Sequence, residues 1–213
     1  MPVSHELRCI YIHIPRTAGT SIERALGLFH DWRIENRTAM FGLIESADLR
    51  ERVSVSGFLQ HASAREVLAL LPSECTNYFS FSFVRNPWDR MVSIFHHKDP
   101  HMVMHAAAAG IDIQSLSFDQ FLDRARSITH VHLLPQARFI CDERGRCLVD
   151  FLGRFECLEQ DFAAVSARIR INVKLSRHNR SAHEEYRRYY NDERRRLVAE
   201  LYREDIEAFG YEF

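Results

Sequence analysis

Apolar residues in this chain follow two periods, and their alternation sets the expected order of elements. From Leu7 to Ile14, Ile10, Ile12 and Ile14 alternate with Cys9, Tyr11 and His13, a β-branched and aromatic run that suits a strand covered on both faces. Pro15 stops the ladder, and Thr20-Ser-Ile-Glu23 has the form of a capping box that opens a helix through Leu26. Residues 29–52 are mixed and weakly patterned, and read as irregular or helical cover. A strand is expected from Val53 to Phe58, ending near Gln60 and His61. Ser63-Ala-Arg-Glu66 is then a second capping box, for a helix that Pro72 ends.

Tyr78 to Val84 forms another apolar strand running into Arg85, with Asn86 placed to cap and Pro87 to start a helix. In that helix Trp88, Met91, Val92 and Phe95 fall at i, i+3, i+4 and i+7, which predicts a buried stripe with Ser93 away from its centre. Ser117 starts a short helix, Asp150 to Phe155 is a late strand, and Leu158 to Ile169 is an amphipathic helix. Asp192 to Phe209 reads as one helix with Arg194, Arg195 and Arg196 on a solvated face. Repeated βα units with short turns imply an α/β fold: three layers, with a mainly parallel central sheet flanked by helices. The 213 residues fit one domain, 1–213.

Composition narrows the partners. Hydrophobic residues make up 46% and charged ones 27%, as in soluble globular proteins, and a net charge of −1 gives no general attraction to nucleic acid or an anionic membrane. No apolar run reaches transmembrane length and MPVSHELR lacks a signal-like core, so a soluble, cytoplasmic chain is expected. Five cysteines without a CxxC pair argue against a disulfide framework and a zinc site. Reduced thiols are the default, although Cys141 and Cys147 flank DERGR and would face each other across a hairpin there.

The chemistry concentrates where strands meet helices. The strand, tight loop and helix start around PRTAGTS make an anion cradle, with donors on Arg16, Thr17, Thr20 and Ser21 and with Gly19 allowing close backbone approach to a ligand. The loop lacks the first Gly and the Lys of the strict nucleotide-triphosphate motif, which disfavours an ordinary kinase. Arg85, and Ser93 eight residues later, are placed to reach an anion at the carboxyl edge of the sheet, where open α/β sheets bind ligands; the alternative for Arg85 is a surface ion pair. His61 falls between a strand end and a helix start on that same edge. His97, His101 and His105 have a spacing of four, but Pro100 interrupts the helix and no Cys or spaced carboxylate completes a set, so no metal is expected; a mobile segment over the ligand site is expected instead. His132 and Gln136 are either satisfied polar residues in packed helices or ligand contacts.

IHIPRTAGTS followed by FSFVRNPWDRMVSIF resembles the paired 5′-phosphosulfate and 3′-phosphate loops of sulfotransferases that use 3′-phosphoadenosine 5′-phosphosulfate (PAPS), in particular the family-2 carbohydrate sulfotransferases. HLLPQARFI, DFLGRFECLEQDF and YREDIEAFGYEF resemble the family's later blocks. The resemblance implies a P-loop-like fold and in-line sulfuryl transfer from PAPS to an acceptor hydroxyl on a small molecule or glycan, without a metal, releasing adenosine 3′,5′-bisphosphate. It assigns the donor to Arg16, Thr17, Ala18, Gly19, Thr20 and Ser21, with Arg16 at the bridging oxygen, and the 3′-phosphate to Arg85 and Ser93. It also implies His61 as general base, His132 and Gln136 on the acceptor side, and Arg177 to Ser181 near the nucleotide. Arg16 stands where the family usually has Lys, and Ala18 where Gly is common. A P-loop nucleotide kinase and a non-catalytic nucleotide- or glycan-binding module are the alternatives.

Overall fold

A computed structural model describes residues 3–27, 59–71, 73–175 and 184–213. The chain divides into two compact units, Met1–Val84 with Arg138–Asn179, and Arg85–Ala137 with Arg180–Phe213. Strands are β1 (Val3–Ser4), β2 (Cys9–Ile12), β3 (Phe79–Val84) and β4 (Phe151–Arg154); helices are α1 (Gly19–Ala25), α2 (Ala64–Leu70), α3 (Pro87–His97), α4 (Pro100–Ala108), α5 (Phe118–Arg124), α6 (Ala137–Ile140), α7 (Leu158–Arg168), α8 (Asp192–Leu201) and α9 (Arg203–Phe209).

The first unit holds a sheet in the order β1-β2-β3-β4. Among the described strands only β1 is antiparallel to its neighbour, and Tyr11 pairs with Phe81, which pairs in turn with Phe151. This is the mainly parallel α/β sheet that the pattern implies. On one face Cys9, Tyr11, Phe81 and Phe83 pack against Ile22 and Leu26 from α1 and its end, and against Phe162 and Val165 of α7. β2 is shorter than the Leu7 to Ile14 run, because Leu7 and Arg8 are spent on the turn from β1: Arg8 has φ 48° and the Leu7 amide donates to Ser4 Oγ at 3.1 Å. Asp150 Oδ2 pins the start of β4 by accepting from the Ser80 amide (2.8 Å) and hydroxyl (2.7 Å).

The second unit is helical, with Trp88, Met91, Val92, Ile94, Phe121, Leu122, Val198 and Tyr202 in its core. Asn86 accepts from the amides of Trp88 and Asp89, with Pro87 at the first helical position, as the sequence predicts. The capping boxes at Ser63 and Ser117 form with Glu66 and Gln120.

Several expectations are corrected. The Thr20 capping box does not form: α1 starts at Gly19 after a left-handed Ala18, with no side-chain cap, and Glu23 turns inward to a buried partner. Phe95 is only partly buried, whereas Ser93 is fully buried, because α3 also buries Arg90 and Ile94 beside its apolar stripe. Pro100 does separate the histidines, and it does so by standing at the first position of a new helix, α4, capped by Asp99. The helix expected over Asp192 to Phe209 divides at Tyr202, whose buried ring is anchored by its hydroxyl donating to Leu133 O at 3.0 Å. Arg194 is not solvated: it bridges Asp119 and Asp123 on α5, leaving Arg195 and Arg196 exposed. Residues 29–52, the strand expected at 53–58 and Arg177 to Ser181 lie outside the described residues. Among the described residues no helix is long and apolar enough to cross a membrane.

Candidate active site

β2 ends at Ile12, and the chain turns through His13 to Ala18 into α1. Arg16 (φ 69°) and Ala18 (φ 73°) both hold left-handed backbone, which costs an L-residue about 1–2 kcal/mol. Ala18 O accepts from the amides of Ser21 (3.0 Å) and Ile22 (3.1 Å), closing the first turn. Thr17 is buried and its Oγ1 donates to Ile14 O at 2.8 Å, so its side chain braces the loop from within. Arg16 and Thr20 are half-buried, while Ser21 is buried.

Gly19 has a different reason from the one expected. A Cβ there would lie 1.8 Å from His13 Nε2, so the space is taken by the protein's own imidazole and not by an approaching ligand. His13 is buried, and its Nδ1 donates to Glu23 Oε1 at 2.8 Å, while Gln60 Nε2 donates to Glu23 Oε2 at 3.3 Å. His61 Nδ1 lies 3.0 Å from the His13 carbonyl oxygen, with the two rings edge to face at 4.7 Å. A carbonyl oxygen only accepts, so His61 carries its proton on Nδ1, and the neutral ring keeps its basic lone pair on Nε2. His13, Glu23 and Gln60 were not read from the sequence as site residues. The available signal was the i, i+4 spacing of Gly19 and Glu23, which puts a gap and a carboxylate on one helix face.

In the second unit Arg85 is buried, and its Nε donates to Asp89 Oδ2 at 2.8 Å, an interior pair rather than a surface one. Gln136 takes both backbone groups of Arg85: the amide donates to Oε1 (2.9 Å), and Nε2 donates to the carbonyl (2.8 Å) and to Asp205 Oδ2 (3.2 Å). Asp205 Oδ1 accepts from the Ala137 amide at 2.8 Å. Arg90, also buried, donates to the carbonyls of Leu134 (3.0 Å) and His132 (2.9 Å). Burial pushes the Asp205 carboxyl up and the Arg90 guanidinium down, and the opposite charge of each works against the other's shift. Gln136 is therefore a fully buried brace on Arg85.

A family model described as "Sulfotransferase family" matches residues 1–212. The chain belongs to the family-2 sulfotransferases. It is accordingly a transferase, and its chemistry is sulfuryl transfer. No curated protein and no solved structure matches the chain.

Of the residues that the sequence singles out in this sulfotransferase, Arg16 to Ser21 and His61 share the first unit, linked through His13. Arg85, Ser93, His132 and Gln136 belong to the second. His97 lies on α3 while His101 and His105 lie on α4. Among the described residues, the group of ligand atoms within 4.8 Å of one another is instead Asp99, His130 and His132. There His130 Nδ1 accepts the His132 amide at 3.3 Å, which leaves the ring proton on Nε2, 3.8 Å from Asp99 Oδ1. A cation bound through Nε2 has to displace that proton while Nδ1 still faces a donor, the reverse of the usual metal-bound histidine.

Proposed function

We propose that this chain transfers the sulfuryl group of PAPS to an acceptor hydroxyl, on a carbohydrate, by in-line displacement, with adenosine 3′,5′-bisphosphate as the second product. PAPS is the donor generally used by sulfotransferases. The observation that carries the reading is the 3.0 Å hydrogen bond from His61 Nδ1 to the His13 carbonyl, because it fixes the tautomer a general base needs. In this reading His61 Nε2 takes the acceptor proton as the hydroxyl oxygen attacks sulfur. The bond from sulfur to the bridging oxygen breaks, and negative charge grows on that oxygen. The Arg16 guanidinium and the amides from Thr17 to Ser21 stabilise that charge. Arg85 and Ser93 receive the 3′-phosphate that distinguishes the donor from ATP. Residues 1–213 work as one sulfotransferase domain of three-layer, P-loop-like type.

The test is transfer from labelled PAPS to a panel of glycans, phenols and lipids, with the bisphosphate titrated in parallel. His61→Ala is expected to bind the bisphosphate as the parent does and to lose roughly 10²–10⁴-fold in transfer rate. Arg16→Ala is expected to lower turnover more than donor affinity, with Arg16→Lys retaining substantial activity. Transfer of phosphate from ATP and Mg²⁺, with no use of PAPS, overturns the reading in favour of a kinase.

A further inference from the structure

We propose that Cys141 and Cys147 form a dithiol–disulfide site, closed by exchange with a low-molecular-weight disulfide of the glutathione class. Between α6 and β4 the chain makes a hairpin in which these two residues are antiparallel partners. The Leu148 amide donates to Ile140 O at 2.7 Å and the Asp142 amide to Arg146 O at 2.9 Å. Those bonds flank the cysteines, which makes them a non-hydrogen-bonded pair, with Cα atoms about 4.5 Å apart and side chains on one face. A disulfide needs Cα atoms roughly 4.4–6.8 Å apart, so the bond forms without backbone movement.

The turn is set before any oxidation. Asp142 Oδ1 accepts from the amides of Arg144 and Arg146, both at 2.9 Å, and Oδ2 accepts from Arg146 Nε at 2.7 Å. Gly145 supplies the left-handed residue at φ 75°. Closing the ring therefore orders little that is not ordered already, which is the condition for a high effective concentration of one thiol at the other. Cys147 is exposed and Cys141 half-buried, so Cys147 is the sulfur that a small disulfide in solution meets first. Cys9 contrasts with this: it is buried, and burial pushes its thiol up to about 12.

The exchange balances in two steps. The Cys147 thiolate attacks one sulfur of the small disulfide, whose S–S bond breaks and releases one small thiolate. The Cys141 thiolate then attacks the Cys147 sulfur of the mixed disulfide and displaces the second. Two electrons pass from the cysteines to the small disulfide, and the two cysteine protons end on the two small thiols.

The full chain, equilibrated with oxidised and reduced glutathione, alkylated and digested with trypsin without reduction, provides the test. Cleavage after Arg138, Arg144, Arg146 and Arg154 leaves Cys141 in 139–144 and Cys147 in 147–154, so only a disulfide joins the two peptides. The expected result is that linked pair, dissociated by dithiothreitol, with Cys157 still alkylated. Asp142→Ala is expected to need a higher ratio of oxidised to reduced glutathione for half-conversion. Stable glutathione adducts at Cys147 without the linked pair, or a Cys147–Cys157 link in its place, overturn the proposal.

Discussion

At Ala18 a methyl group sits on backbone that glycine adopts without steric cost, φ being 73°. Glycine is common at this position in the loops that this one resembles, and the left-handed backbone supplies the reason. Ala18→Gly is expected to raise stability by about 1 kcal/mol, read from the midpoint and slope of urea unfolding; a lower midpoint would show that the loop gains more from a stiff residue than it loses to strain. One residue on, the sign reverses. Gly19→Ala places Cβ 1.8 Å from His13 Nε2, and since His13 is held by Glu23 the clash is expected to cost ~1–3 kcal/mol or more. The same urea titration checks it, and an unchanged midpoint would mean that the ring moves aside freely. The sequence shows that a small residue follows the strand, but it does not show whether a ligand or a side chain fills the space. That depends on His13, six positions back, and periodicity says nothing about it.

Elements were most legible where their signals are local. Asn86 and Pro87 at the start of α3, and the boxes at Ser63 and Ser117, satisfy amides two or three residues away, so the sequence window contains both partners. The Thr20 box has the same letters and fails, because Glu23 has a stronger claim from a buried histidine. Two neighbouring segments in the second unit carry a pH prediction. His130 packs among Asp99, His101, His105 and His132, and burial lowers its pKa from 6.5 to about 4, with His105 and His101 adding to the fall and Asp99 opposing it. The folded state thus binds fewer protons than the unfolded chain between those values. The stability His130 contributes is fully present above about pH 6.5 and is lost as pH falls through about 4. Denaturant titrations across that window are expected to show an acid-side slope that flattens in His130→Gln; an unaltered slope would assign it to another group.

Over the whole molecule, the contacts that matter most join blocks far apart in sequence. Arg85 and Arg90 from one stretch, Gln136 from a second and Asp205 from a third form one buried polar network. The likeness of HLLPQARFI and of the C-terminal block to the family was visible in the sequence, but not that Gln136 and Asp205 bond to each other. Asp205→Ala removes the acceptor of the Ala137 amide and the charge facing Arg90, so a loss of about 2–5 kcal/mol is expected. If Arg85 holds the 3′-phosphate as proposed, weaker bisphosphate binding should accompany it as Gln136 loses its hold on Arg85. Thermal unfolding and calorimetry measure the two effects separately, and a loss of affinity without a loss of stability would contradict the order of causes.

The division of the chain between its units also bears on how the protein is made. The first unit takes Met1–Val84 and then Arg138–Asn179, and the second closes only with Arg180–Phe213. On the ribosome, β2 and β3 therefore wait for β4 to emerge, and the helices from α3 to α5 wait for α8 and α9, which emerge after the last segment of the first unit. Neither half is finished in the order in which it is translated. The nascent chain carries apolar strands and a half-built helical core for most of its elongation, the interval in which chaperones and proteases compete for it. Late truncations, though they leave every residue from Arg16 to Ser93 intact, fall on the segment that ends this exposure.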